Sequence, residues 1–137
     1  MADCCNEGNE FIYACSGGSD VGFISDRLAR MLSVAGYGNI SCLAGIGGDI
    51  EKFLKSAKEA KRNIVIDGCG IKCGKKMLKN RGIACENYVI TEFGFEKNKA
   101  GVSDDTVKTA FDRISGIIEN DIPDTAKNSG SGCCCGG

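Results

Sequence analysis

"NIVIDGCGIKCGKK", residues 63–76, sets three consecutive β-branched residues ahead of an aspartate, a glycine and two cysteines. An apolar run without polar alternation suits a parallel strand buried on both faces, whereas a half-exposed strand would alternate. Gly68 and Gly70 then mark a turn, and a short helix is expected over roughly Lys72 to Arg81, stopped by Gly82. Strand, glycine turn and helix make up one half of a βαβ unit.

The same unit recurs on either side. "EFIYACSGGSD" reads as a strand from Glu10 to about Cys15 closed by a glycine turn. The helix after it carries Ile24, Leu28 and Leu32 on one face, with Asp20 placed to cap its start and Gly36 or Gly38 to end it. "NISCLAGIGGD" reads as a short strand entering another glycine turn, and "DIEKFLKSAKEAK" as a helix with Ile50, Phe53, Leu54 and Ala57 on its buried side. "NYVITEFG" supplies a fourth strand. Ser103 caps a last helix whose stripe is Val107, Ala110, Phe111, Ile114, Ile117 and Ile118, ending before Pro123. Strand and helix in alternation predict an α/β fold, a doubly wound three-layer sandwich on a mainly parallel four-stranded sheet of Rossmann or flavodoxin type. The domain is expected over 10–120, between a flexible cysteine-containing stretch at 1–9 and a flexible cysteine-rich tail at 121–137.

Composition narrows the function. With 42% apolar and 26% charged residues the chain is an ordinary globular one, and a net charge of −1 provides no basic field for nucleic acid. No segment approaches the roughly 20 apolar residues needed to span a bilayer, so no membrane partner is expected. "MADCCNEGNEF" is polar and acidic without a basic-then-apolar signal pattern, which points to the cytoplasm. Ten cysteines in 137 residues, with no histidine, direct attention to metal or thiol chemistry and remove histidine-based acid–base catalysis.

In a parallel sheet ligands bind beyond the carboxyl ends of the strands. Cys15 ends the first strand, Cys42 lies late in the second, Cys69 follows the third and Cys73 begins the next helix, so all four fall at one rim. Four thiolates can hold a soft cation such as zinc in a tetrahedron. Helix N-termini near Cys15 and Cys73 are expected to lower thiol pKa values, with Lys72, Lys75 and Lys76 adding positive charge. The same cysteines would also serve thiol–disulfide exchange, persulfide or selenium transfer, or an iron–sulfur cluster. The three-residue gap between Cys69 and Cys73 differs from the two-residue gap of thioredoxin-like motifs. Cys4, Cys5, Cys85 and Cys133 to Cys135 fall toward the other end of the sheet, and the terminal ones are candidates for a second thiol cluster that exchanges metal or sulfur with a protein partner.

"DGC" at Asp67 to Cys69, with "FIYACSGGSDVG", "CLAGIGG" and "KCGKK", resembles the DGC-domain proteins, small prokaryotic proteins marked by four cysteines. The likeness covers about residues 10–118. It implies a zinc site made by Cys15, Cys42, Cys69 and Cys73, the four that the rim selects, and it implies no settled activity.

Other features have plainer readings. Asp67 is expected to cap the turn after its strand. "CSGGSDVG" has the glycines of an anion-binding loop but lacks the arginine that a cysteine phosphatase uses to clamp phosphoryl oxygens. Glu92 is a polar residue at the same rim.

Overall fold

The computed structural model describes residues 9–120. The segments at 1–8 and 121–137, with Cys4, Cys5 and Cys133 to Cys135, lie outside the described residues.

The 63–76 stretch folds as its pattern predicts. β3 (Arg62–Asp67) is buried from Asn63 to Asp67 because it pairs on both edges and is covered on both faces. β1 (Glu10–Ala14) pairs along one edge with Ile12 opposite Ile64, and β4 (Glu86–Val89) along the other with Tyr88 opposite Ile66. β2 (Asn39–Ile40) adds to the outer edge of β1, giving the order β2-β1-β3-β4 with every pair parallel.

Strand side chains alternate between two layers. Ile12, Ile64, Ile66 and Tyr88 pack with α1 (Asp20–Val34) and α5 (Asp104–Asn120), through Ile24, Leu28, Leu32, Ile114 and Ile118. Tyr13 and Val65 face the other way, onto α2 (Leu43–Gly47), α3 (Glu51–Glu59) and α4 (Cys73–Asn80), through Ile46, Ala57 and Leu78. Each fully buried aliphatic side chain contributes about 1.5–3 kcal/mol, so both layers hold the sheet. This is the doubly wound three-layer α/β fold.

Four local expectations are corrected. Ser19, not Asp20, caps α1: its hydroxyl accepts from the Gly22 N–H at 3.2 Å. The carboxylate of Asp20 instead accepts backbone N–H groups from Asn98 (2.8 Å), Ala100 (2.9 Å) and Gly101 (3.2 Å), tying the loop before α5 to the start of α1. The second strand is only two residues long, and the glycine-rich stretch after it closes into α2 rather than a turn. "NYVITEFG" is strand only as far as Val89, and Ile90–Phe93 tightens into a 3₁₀ turn that ends at Gly94 with φ 88°. Ile117 is 40% exposed, off the buried stripe of α5.

Backbone packing brings the loops at the carboxyl edge together. A Cβ on Gly22 would lie 2.5 Å from the Gly17 carbonyl oxygen, and one on Gly68 would lie 2.9 Å from the Val21 carbonyl carbon. The loops after β1 and β3 therefore press backbone to backbone against the first turn of α1.

Candidate functional site

Asp67 organises the end of β3. Its side chain is buried, and its Oδ1 accepts the Gly74 N–H at 2.8 Å. Oδ2 accepts the Lys75 N–H at 3.1 Å and the Asn87 side-chain amide at 2.8 Å. Three donors satisfy this carboxylate, two of them free N–H groups of the first turn of α4, where a negative charge is favoured. Asp67 thus caps α4 across seven and eight residues rather than the turn beside it. Gly74 permits the approach, since a Cβ there would come within 2.8 Å of Asp67 Oδ1 and 2.6 Å of Val65 Cγ1.

This clamp positions Cys73, the first residue of α4, against Cys15. The Cys15 backbone is held from two sides, its N–H donating to the Ile66 carbonyl at 3.0 Å and its carbonyl accepting from the Ser25 hydroxyl. The two thiols are neighbours, each lining the same groove. Burial pushes the Cys15 thiol above its ordinary value; the Gly17 N–H opposes this, and the neighbouring Cys73 and Asp67 add to the rise. The lowered Cys15 pKa expected from the nearby helix start is therefore corrected: that dipole is outweighed by desolvation and negative neighbours.

Cys42 stands outside the sheet as the N-cap of α2, its Sγ accepting the Gly45 N–H at 3.3 Å. It is exposed, not turned into the interior. Cys15, Cys42 and Cys73 line one open groove of about 870 Å³, with Phe11, Phe53 and Met77 on its apolar wall. Asp26 and Arg30 also line it, paired at 3.0 Å.

Cys69 does not line this groove. It packs against the cluster on the α1 and α5 side of the sheet, with Lys97 Nζ 3.9 Å from its sulfur. The chain turns between the two cysteines at Lys72, a non-glycine residue held at φ 55°. All four cysteines follow the carboxyl ends of their strands, but three share the groove on one side and the fourth lies on the other. Among the described residues, no three histidine, cysteine, aspartate or glutamate side chains are grouped as a metal-binding cluster.

The lysines are placed differently from the sequence reading. Lys72 pairs with Glu92 at 3.9 Å, which gives Glu92 a partner that the spacing did not reveal. Lys75 acts on Cys85, moderating the upward push that burial gives that thiol. Lys76 is exposed on α4. Lys97 is the cation beside a thiol that sequence reading missed, and its position twenty-eight residues after Cys69 gave no signal.

The fold and its rim of cysteines define a small α/β protein with free thiols at the carboxyl edge of a parallel sheet. The chain belongs to the DGC-domain family, whose model matches residues 11–114. It is 32% identical over 87 residues to the anaerobic and virulence modulator AnvM of Pseudomonas aeruginosa, an alignment spanning 63% of this chain and 66% of that relative, just under two thirds of its length. No solved structure matches the chain. No helix among the described residues is long and apolar enough to cross a membrane.

Proposed function

We propose that this protein binds a soft divalent cation, zinc by the chemistry of the donors, at the carboxyl edge of its sheet, in metal sensing or handling. Cys15 and Cys73 are the first two ligands, Cys42 the third and Cys69 the fourth. The observation that supports this best is that Cys15, Cys42 and Cys73 line one groove, with Cys15 and Cys73 as neighbours. The donors fit the ion in chemistry, since thiolates in a set of three or four are what zinc takes. Cys69 joins the set by movement of the 69–72 turn, where Gly70 is exposed with open space around it and Lys72 holds a left-handed backbone.

When bound, the ion supplies positive charge that favours the thiolate over the thiol. The protein offsets the remaining negative charge with backbone N–H groups, from Gly45 to Cys42 and from Gly17 to Cys15, more than with lysines. The groove is open, which suits an ion that is exchanged with a protein partner more than one locked into the fold. Free thiols at Cys15, Cys42, Cys69, Cys73 and Cys85 suit a reducing, cytoplasmic setting.

Purification without oxygen or chelator, followed by elemental analysis, tests the reading. One equivalent of zinc, lost in Cys15→Ser and Cys73→Ser and kept in Cys85→Ser, is the expected result. Metal-free protein that takes up no zinc on titration would overturn it.

A further inference from the structure

The spacing in the sequence pairs Cys69 with Cys73, but the fold pairs Cys73 with Cys15. Cys15 and Cys73 line the same groove as neighbours, Cys73 is exposed, and Cys15 is half-buried behind it on a backbone fixed at Ile66 and Ser25. Neighbouring strands carry the two residues to this point, because Cys15 continues β1 and Cys73 starts the helix that Asp67, the last residue of β3, clamps in place. The backbone at both ends of a bond between them is therefore held in place, and closure brings the sulfurs to the roughly 2.0 Å of a disulfide. The groove in front is far larger than one ion requires. Its volume of about 870 Å³ lies within the usual range for small-molecule sites, and its wall of Phe11, Phe53 and Met77 is apolar.

We propose that Cys15 and Cys73 form a reversible dithiol–disulfide couple that exchanges with small-molecule disulfides entering the groove, Cys73 attacking and Cys15 resolving. The Cys73 thiolate attacks one sulfur of the disulfide RS–SR. That S–S bond breaks, a Cys73–SR bond forms, and RS⁻ leaves to take up a proton. The Cys15 thiolate then attacks the Cys73 sulfur, forms the internal disulfide and releases the second thiol. Two thiols and one RS–SR become one internal disulfide and two RSH, so two electrons pass to the substrate disulfide and no other reactant enters. Exposure sets the roles: the sulfur that meets the groove is attacked first, and the one behind it closes the bond. Cys69, on the other side of the sheet edge, stands outside the couple.

The couple belongs to the metal-free chain and is tested there, so zinc binding can fail without affecting it. The full chain, reduced and stripped of metal, is equilibrated in mixtures of oxidised and reduced glutathione, quenched with an alkylating agent, digested and mapped by mass spectrometry. A Cys15–Cys73 linkage forming before any other is expected. Cys15→Ser should accumulate glutathione on Cys73, and Cys73→Ser should carry less than a tenth as much on Cys15. Far-ultraviolet circular dichroism shows whether each variant is folded. A dominant Cys69–Cys73 linkage overturns the proposal, and so does full alkylation of Cys15 and Cys73 at every glutathione ratio. So does a folded Cys15→Ser protein that takes up no glutathione on Cys73.

Discussion

Single residues at the carboxyl edge hold the loops that carry the cysteines. In the Asp67-Gly68-Cys69 tripeptide, the aspartate caps α4 and the glycine lets the loop lie against α1. Asp67→Asn keeps one acceptor but turns an amide N–H toward other donors, leaving buried groups unsatisfied. Urea unfolding of Asp67→Asn should show a loss of about 1–3 kcal/mol; an unchanged midpoint would mean that the clamp contributes little. Asp20 gives a pH dependence. The Asn98 N–H, then those of Val21, Gly101 and Ala100, hold its carboxyl below the ordinary value of 3.8. A depressed folded pKa stabilises the fold above the unfolded value, and that contribution is lost as pH falls through the folded one. Hydrogen exchange at Asn98, Ala100 and Gly101 should therefore stay protected at neutral pH and lose protection on acidification. Asp20→Asn should weaken protection already at neutral pH, and equal protection in both proteins would contradict this role.

At the scale of elements, long apolar patterns were legible and short glycine-rich ones were not. Ile64 to Ile66 identify β3, and the four-residue spacing of Ile24, Leu28 and Leu32 identifies α1, because burial follows those periods directly. The stretch that forms α2 hides as a turn because Gly45 and Gly47 lower helix propensity. Its glycine is there for packing: a Cβ on Gly45 would lie 2.4 Å from Phe53 Cδ2. The one usable signal was Cys42 three residues before Gly45, an N-cap with sulfur in place of oxygen. Likewise the apolar Ile90 continues the pattern of β4, yet the chain tightens there into a 3₁₀ turn. Backbone contact between the loops is the strictest element-level requirement. Gly22→Ala would drive a methyl into the Gly17 carbonyl, so it should destabilise by about 1–3 kcal/mol in chemical unfolding, and a neutral result would show that the loops can separate freely.

The described residues form a sheet held between two apolar layers, with Cys15, Cys42, Cys69 and Cys73 gathered at one edge. Ile66 lies in the α1 and α5 layer and is fully buried, so Ile66→Ala should cost about 2–5 kcal/mol, measured by denaturant midpoint. Topology carried the sequence reading a long way: four parallel strands send Cys15, Cys42, Cys69 and Cys73 to one rim. Which side of the rim each thiol takes was not legible, because it depends on loop dihedrals such as the positive φ of Lys72, which leave no trace in residue spacing. The central claim is that Cys15 and Cys73 are the nucleus of a soft-metal site. Titration of the reduced, metal-free chain with Co²⁺ under anaerobic conditions tests it most directly, through the near-ultraviolet charge-transfer absorption of cobalt thiolates. Saturation at one equivalent is predicted, with the band abolished in Cys15→Ser and in Cys73→Ser and retained in Cys85→Ser. A band of full intensity in the Cys15→Ser, Cys73→Ser double variant, or none in the parent chain, would contradict the account.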